Sequence, residues 1–255
     1  MHTKQSLMAD LSRMGIHPSD TLLVHSSMKS IGEVEGGADS VLDALSEYLS
    51  DGLLILPAHT WSTVDSANPV FDVKESKVCV GLLPELFRKR PGVIRTLHPT
   101  HSLSCLGREA ESFASGQERF DTPCAPQSCY GQLEMRDAEI LLVGVDFSKN
   151  TTVHCIEEVA KVPGRLSADH QQLFVKDEKD RLISVPSLRH ENSNSDTFVK
   201  LEPVMYSRHL IQNTTFGDAH CMLFRARDLF RVTIEMLNKN PRLFDDFAAI
   251  PDAWF

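Results

Sequence analysis

Apolar residues recur every three to four positions in several segments of the chain, and each of these segments predicts a helix. In residues 3–16, Leu7, Leu11 and Met14 fall on one face, and Gly15 ends the pattern. The same periodicity predicts further helices over residues 36–52, 80–92, 150–160, 204–212 and 225–241.

Other segments are continuously apolar, as expected of strands that are covered on both faces. Such runs occupy residues 21–27, 53–58 and 138–145, and residues 96–107 are expected to be extended around a proline. The order strand, helix, strand at the start of the chain predicts a βαβ unit. Two alternating runs over residues 173–185 predict a β-hairpin. The pattern therefore predicts a single α/β domain over residues 1–255, with a β-hairpin region in its C-terminal half.

The composition and net charge limit the kinds of partner that the chain is expected to bind. The chain has 255 residues, 42% of them hydrophobic, and a formal net charge of −9. This charge disfavours nucleic acid and suits a small cationic substrate. The six cysteines form no CxxC pair, and the N-terminus lacks a continuous apolar run. These features predict a reduced, cytoplasmic protein with no membrane partner, and a homodimer is compatible with them.

Polar clusters follow the predicted strands or lie in the loops beside them. They read HSSMKS at residues 25–30, HPTHS at 98–102 and NTTVHCIE at 150–157. Ligands of α/β sheets bind at the carboxyl ends of strands, so the clusters together predict one site. In the first cluster, serines and a lysine before glycines suit a phosphate, although they also suit a plain helix cap. The spacing of a P-loop is absent.

The third cluster carries His154 and Glu157 three residues apart, on one face of a helix near its start. The helix dipole favours the neutral imidazole that a general base requires, and the carboxylate can hold one ring nitrogen. An ordinary amphipathic helix with a hydrogen-bonded histidine explains the same spacing. A third interpretation adds His98 and His101 to form a zinc site, but the spacing matches no recognised zinc signature.

A linked series of segments resembles the aminoglycoside 3-N-acetyltransferase family, also called antibiotic N-acetyltransferases. The series lies between Thr21 and Gly164 and reads TLLVHSSMKSIGEVEGGADSVLDAL, LILPAHTWS, VFDVKESKVCVGLLPELFRKRPGVIRTLHPTHS, TPCAPQSCYGQL and ILLVGVDFSKNTTVHCIEE. The resemblance implies a mixed β-sheet flanked by helices, distinct from the GNAT fold. It also implies transfer of the acetyl group of acetyl-CoA to the 3-amino group of 2-deoxystreptamine aminoglycosides, with acetyl-CoA as co-substrate and no metal.

The resemblance further implies roles for individual residues. His154 is implied to be the general base on the substrate amine, and Glu157 is implied to orient it. The implied CoA-binding residues are Ser26, Ser27, Lys29 and Ser30, with His98 and Ser102 beside the acetyl group. Because aminoglycosides carry several positive charges, we expect an acidic, substrate-binding cleft. Its expected carboxylates are Asp65, Asp72, Glu191 and Asp196.

The chain departs from the family in one loop. Where family members commonly have TPFG..SP, Cys124, Ala125 and Cys129 replace Phe, Gly and Pro. Substrate contacts usually come from variable loops. These three changes are therefore expected to affect which amine is accepted more than the chemistry of the transfer. Three alternatives remain open: an acyl-CoA-dependent N-acyltransferase for a non-antibiotic amine, a CoA-binding protein without turnover, and a metallohydrolase.

Overall fold

The computed structural model describes all residues from Met1 to Phe255. Its strands are β1 Thr21–Ser26, β2 Leu53–Pro57, β3 Val70–Asp72, β4 Ile94–Arg95, β5 Leu103–Gly107, β6 Glu139–Val143, β7 Phe174–Lys176, β8 Leu182–Ser184, β9 Gln212–Phe216 and β10 Ala219–Arg225. Its α-helices are α1 Lys4–Arg13, α2 Gly37–Tyr48, α3 Leu82–Phe87, α4 Ala110–Ala114, α5 Cys129–Met135, α6 Thr152–Val159, α7 Leu201–Ser207 and α8 Ala226–Lys239.

Seven strands form one mixed sheet in the order β4-β5-β2-β1-β6-β10-β9. Its centre is the parallel trio β2, β1 and β6, and the outer strands pair antiparallel. Every residue of β2 and β6 is buried because helices cover both faces of the sheet. Apolar side chains of α1, α2 and α3 pack on one face, and those of α4 to α8 pack on the other. The predicted α/β fold, with a mixed sheet flanked by helices, is confirmed.

A second, three-stranded sheet has the order β3-β7-β8 and a small apolar core of its own. Its strands β7 and β8 form the hairpin predicted over residues 173–185. The buried Arg95 ties the segment after β3 to the end of β2, because its guanidinium donates to the carbonyls of Val73, Ser76 and Ala58. This small sheet is therefore fastened to the main sheet at the carboxyl end of β2.

Some details of the sequence predictions were wrong. The helix expected over residues 204–212 ends at Ser207, because His209 adopts a left-handed φ of 55° and the chain then enters β9. The hairpin of β9 and β10, which turns at Gly217 with φ 60°, was not predicted. Residues 98–102 are not extended; they form the turn that precedes β5. No helix in the structure combines the length and the apolar character needed to cross a membrane.

Candidate active site

A cleft of about 1110 Å³ opens at the carboxyl ends of β2, β1 and β6. This volume is slightly above the roughly 300–1,000 Å³ that is typical of small-molecule sites. The three polar clusters predicted from the sequence all reach it. Their lining residues are His25, Ser26, Ser27, Met28, Lys29, Thr100, His101, Thr151 and His154.

Strand register explains why the first and third clusters meet. β1 and β6 pair from Leu22 opposite Glu139 to Ser26 opposite Val143, so both strands end at the same height. The chain leaves β1 toward β2 on one side, while β6 lies on the other, and such a divergence is where α/β sheets form their binding crevice. After β6, a 3-10 turn leads into α6, which begins beside the loop that follows β1.

The His154 ring lies in the first turn of α6 and is held on three sides. Its Nδ1 lies 3.2 Å from Glu157 Oε2 and 3.3 Å from Ser193 Oγ. The His190 ring stacks on it at 4.6 Å between centroids, and the Phe198 ring meets it edge-on at 4.8 Å. With Nδ1 directed to a carboxylate, the imidazole can accept a proton on its other nitrogen, Nε2.

The Glu157 carboxylate is 1% exposed and fully engaged. Arg165 Nε donates to its Oε1 at 2.5 Å, and Ser193 Oγ donates to its Oε2 at 2.9 Å. Burial acts to raise the pKa of Glu157, but the hydrogen bond and charge of His154 and the charge of Arg165 outweigh it, so the pKa lies below its usual value. Arg165 in turn donates to Asp245 at 2.6 Å. Glu157 is therefore an ionised carboxylate fixed behind the His154 ring.

Neighbouring histidine rings extend inward from His154. The centroids are 5.3 Å apart between His190 and His101, and 4.9 Å apart between His101 and His59. Burial lowers the pKa of His25 and His98 to about 4. Burial, with added repulsion between the rings, lowers the pKa of His59, His101 and His190 well below the ordinary value. The five rings are therefore neutral near pH 7.

His98 is buried behind the cleft and does not line it. Its Nδ1 accepts from the backbone N–H groups of Thr100 and His101, at 3.3 and 3.0 Å, and its Nε2 donates to Thr122 O at 3.0 Å. Both ring nitrogens are thus used, which leaves none for a metal in the four-residue zinc site considered above. His98 instead shapes the turn that carries Thr100 and His101 into the cleft.

The other predicted CoA-binding residues divide into two groups. Ser26, Ser27 and Lys29 line the cleft, whereas Ser30 and Ser102 lie behind it. Ser30 Oγ donates to Ser27 Oγ at 3.0 Å. Ser102 Oγ donates to a backbone carbonyl of the β2 end at 2.6 Å. By contrast, Ser26 Oγ is buried without a hydrogen-bond partner, although the residue lines the cleft.

The structure does not bring the four predicted substrate carboxylates to the cleft wall. Asp65 accepts from two backbone N–H groups of its own loop, and Asp72 pairs with Lys176 at 3.0 Å. Glu191 and Asp196 are exposed. The charged residues that do line the cleft are Lys29, Lys149 and Arg189.

Several site residues were missed by sequence reasoning. His25 belongs to the first predicted cluster but was not singled out as a site residue, and His59 follows β2, where its position after a buried strand could have indicated it. Arg189, His190 and Ser193 lie in a polar loop that carried no periodic signal. The divergent residues of the family loop are buried beneath the cleft instead of lining it: Cys124, Ala125 and Cys129.

Comparison with known proteins places these features in a family. The sequence model of the family described as aminoglycoside 3-N-acetyltransferase matches residues 23–238. Aminoglycoside N(3)-acetyltransferase IV of Salmonella sp is 29% identical over 94% of this chain and 89% of its own length. The SPbeta prophage-derived aminoglycoside N(3')-acetyltransferase-like protein YokD of Bacillus subtilis (strain 168) is 30% identical over 87% of each chain.

Solved structures agree with the sequence comparisons. Aminoglycoside acetyltransferase AAC(3)-IVa, as a mutant in complex with a gentamicin, superposes with a TM-score of 0.83 at 28% identity, covering 95% of this chain and 91% of that one. AAC-IIIb, solved as a binary complex with CoASH, shares the fold at a TM-score of 0.82 and 22% identity, covering 93% and 96%. The chain therefore belongs to the aminoglycoside 3-N-acetyltransferase family, a family of acyltransferase enzymes.

Proposed function

We propose that the chain is an acetyl-CoA-dependent N-acetyltransferase with His154 as its general base, acting on the 3-amino group of a 2-deoxystreptamine aminoglycoside. The observation that carries this proposal is a cleft-lining imidazole with its Nδ1 on a buried, ionised Glu157. Membership of the family supports the acyl transfer, and the relative solved with a gentamicin supports the class of acceptor.

The proposed reaction begins with an amine that is mostly protonated at pH 7 and therefore lacks a free lone pair. The ammonium first releases one proton to solvent, which restores the lone pair. The neutral amine then attacks the thioester carbonyl of acetyl-CoA, and His154 Nε2 takes one of the remaining N–H protons as the C–N bond forms. Glu157 stabilises the imidazolium that forms. The tetrahedral intermediate then expels the CoA thiolate, and the proton held on Nε2 passes to the sulfur. The products are the N-acetylated amine and CoA with a free thiol.

The proposed CoA site uses the cleft-lining part of the loop after β1. Ser26 Oγ has no protein partner, and Lys29 supplies an exposed cation for a phosphate. Ser30, His98 and Ser102 act from behind the wall, where they hold the loops that face the cofactor. A cofactor bound along this loop therefore meets serine residues and a cation on the same wall of the cleft.

Release of free thiol from acetyl-CoA tests the proposal. Thiol release that requires an aminoglycoside and is lost in His154→Ala is the expected result. Thiol release without any amine would instead indicate hydrolysis, and CoA binding with no turnover on any amine would indicate a binding protein. Either of these results would overturn the proposed transfer.

The charges of the cleft favour a second candidate acceptor. No carboxylate lines the cleft, whereas Lys29, Lys149 and Arg189 do. In the proposed complex the CoA phosphate pairs with Lys29, and Lys149 Nζ lies 3.9 Å from Asp196 Oδ1. Arg189 donates to the carbonyls of Trp61 and Val64 and has no ion-pair partner. A polycation therefore meets an unpaired positive charge at Arg189, and like charges brought together at a binding site oppose association. We therefore propose, as the alternative, the same acyl transfer to a non-antibiotic amine that itself carries a carboxylate or phosphate.

A panel of acceptors separates the two candidates. If the alternative holds, anion-bearing amines react with a higher kcat/KM than 2-deoxystreptamine aminoglycosides, and Arg189→Gln lowers kcat/KM for the anion-bearing amines only. Faster acetylation of the aminoglycosides, unchanged by Arg189→Gln, would reject the alternative and retain the aminoglycoside as acceptor.

A further inference from the structure

Three side chains of metal-binding type lie together at the edge of the cleft, outside the His154–Glu157 pair, and one of them, His190, lines the cleft. The thiol of Cys124, the carboxylate of Glu158 and the imidazole of His190 offer ligand atoms that all lie within 4.8 Å of one another. They come from three separate segments: the loop before α5, the last turn of α6 and the loop after β8. Only the tertiary fold brings them together.

Direct contacts already join the three residues. Glu158 Oε1 lies 2.7 Å from His190 Nε2 and accepts from the backbone N–H of Cys124 at 2.9 Å. The cluster is largely screened from water, since the Glu158 and His190 side chains are 4% and 11% exposed and Cys124 is fully buried. Burial raises the pKa of Glu158 to about 7 and raises the pKa of the Cys124 thiol well above its usual value.

The cluster retains unused ligand capacity. His190 Nδ1 is buried without a hydrogen-bond partner. The thiols of Cys105, Cys129 and Cys221 each donate to a backbone carbonyl, whereas the thiol of Cys124 makes no such bond. Sulfur and imidazole nitrogen are therefore both available, beside a carboxylate, in a pocket that contains no Lys or Arg partner for that carboxylate.

We propose that Cys124, Glu158 and His190 form a zinc-binding site. Zinc accepts thiolate, imidazole and carboxylate ligands at about 2.0–2.3 Å, which puts the ligand atoms of one tetrahedral ion about 3–4 Å apart. Small rotations of the three side chains bring them from their present separation to that spacing. The thiol loses its proton when the ion binds, because the ligand is the thiolate. Three protein ligands leave the fourth position to water from the cleft, which His190 lines.

The ion would act on the active site through His190. Because the His190 ring stacks on the His154 ring at 4.6 Å, an ion that fixes His190 also fixes one side of the His154 ring. It would likewise tie α6 to the loop before α5. Cys124 stands where family members commonly have phenylalanine, so the site departs from the expectation of no metal that the resemblance carries.

Metal binding by the purified full-length chain tests the proposal. Metal-free protein is titrated with zinc in competition with a chromophoric chelator, and cobalt(II) is used as a spectroscopic substitute, since thiolate ligation gives a near-ultraviolet charge-transfer band. We expect one zinc per chain and a thiolate–cobalt band. Cys124→Ser and Glu158→Gln should each weaken zinc binding by at least about tenfold, the lower bound even for residues that only support a ligand.

Cys79→Ser is the matched control, because Cys79 is half-buried and lines the cleft outside the cluster. It should bind zinc like the wild type. Circular dichroism of each metal-free variant checks its fold, and Glu158→Gln preserves the shape of the side chain if Cys124→Ser unfolds. A wild-type chain that binds no zinc at micromolar concentration would overturn the proposal. Zinc binding that survives Cys124→Ser but is lost in His154→Ala would also overturn it.

Discussion

The turn at residues 98–102 and the start of α6 present the same kinds of residue to the same cleft and use them differently. In the turn, both nitrogens of His98 are bound to backbone groups, so its imidazole stabilises a loop. In α6, one nitrogen of His154 is held by Glu157 and the ring lines the cleft. Residue type alone therefore does not distinguish the two segments. What distinguishes His154 from His98 is an unbound ring nitrogen together with an ionised carboxylate held against the other nitrogen.

The largest expected effect comes from removing the free nitrogen. His154→Ala should lower kcat/KM for acetyl transfer by about 10²–10⁴-fold, the usual contribution of a general base. Glu157→Gln should lower it less, because the amide still hydrogen-bonds the ring but no longer stabilises imidazolium. Thiol release under steady-state conditions measures both. Near-wild-type turnover of His154→Ala at neutral pH would show that His154, like His98, has no part in the chemical step.

The corresponding substitution in the turn at residues 98–102 should affect stability more than catalysis. His98→Ala should lower the free energy of unfolding by about 2–4 kcal/mol, since it removes three hydrogen bonds and leaves buried backbone groups without partners. Urea denaturation measures the loss, with the exposed His17→Ala as control. Turnover per folded molecule should fall far less than in His154→Ala, because His98 acts on the cleft only through the turn. A large drop in kcat without a change in stability would assign His98 to the chemistry.

The buried rings should also make stability depend on pH. His25 and His98 have a pKa of about 4 in the folded chain against an ordinary 6.5, so the unfolded chain binds more protons between these values and stability rises with pH. Lowering the pH from 7 to 5 should cost about 2 kcal/mol for each ring, at 1.36 kcal/mol per pKa unit. His59, His101 and His190 act in the same direction.

Glu158 opposes this trend, because its raised folded pKa of about 7 contributes stability at low pH that is lost as the pH rises through 7. Burial also raises the pKa of Glu139 and Glu202, so both act in the same direction as Glu158. Three carboxyls against five imidazoles leave the sign unchanged. Urea unfolding at pH 7, 6 and 5 measures the slope. His98→Gln should flatten it and His17→Gln should not. If the free energy of unfolding stays constant or increases as the pH is lowered from 7 to 5, the histidine rings are not buried in their neutral form.

The smallest effect is expected at Lys29, which is proposed to bind the cofactor without taking part in the chemical step. Lys29 is exposed, so Lys29→Ala should raise the KM for acetyl-CoA by only about two- to fivefold, in the range of an exposed ion pair, and leave kcat nearly unchanged. The difference should shrink at high salt because the charges are screened. A fall in kcat with KM unchanged would move Lys29 from cofactor binding to the chemical step.

Much of the fold followed from the sequence because its signals are local. Periodicity predicted the central strands, α1, α2, α6 and α8, and the hairpin of β7 and β8. It did not predict the β9–β10 hairpin, since the reversal at His209 and the turn at Gly217 depend on backbone angles that apolar spacing does not encode. Helical geometry alone puts residues three apart on one face, so the pairing of His154 with Glu157 was predictable from their spacing.

Only the tertiary structure decided which of the predicted side chains meet the cleft. His98 is bound by the carbonyl of Thr122, 24 residues away, and Glu157 by Arg165, which is itself anchored on Asp245. Of the expected carboxylates, Asp65 is held by its own loop and Asp72 by Lys176, and basic residues line the cleft instead. Contacts between distant segments depend on strand register and loop path. A sequence pattern therefore specifies the histidine and its helix, and the packed fold decides which ring nitrogen remains free to react.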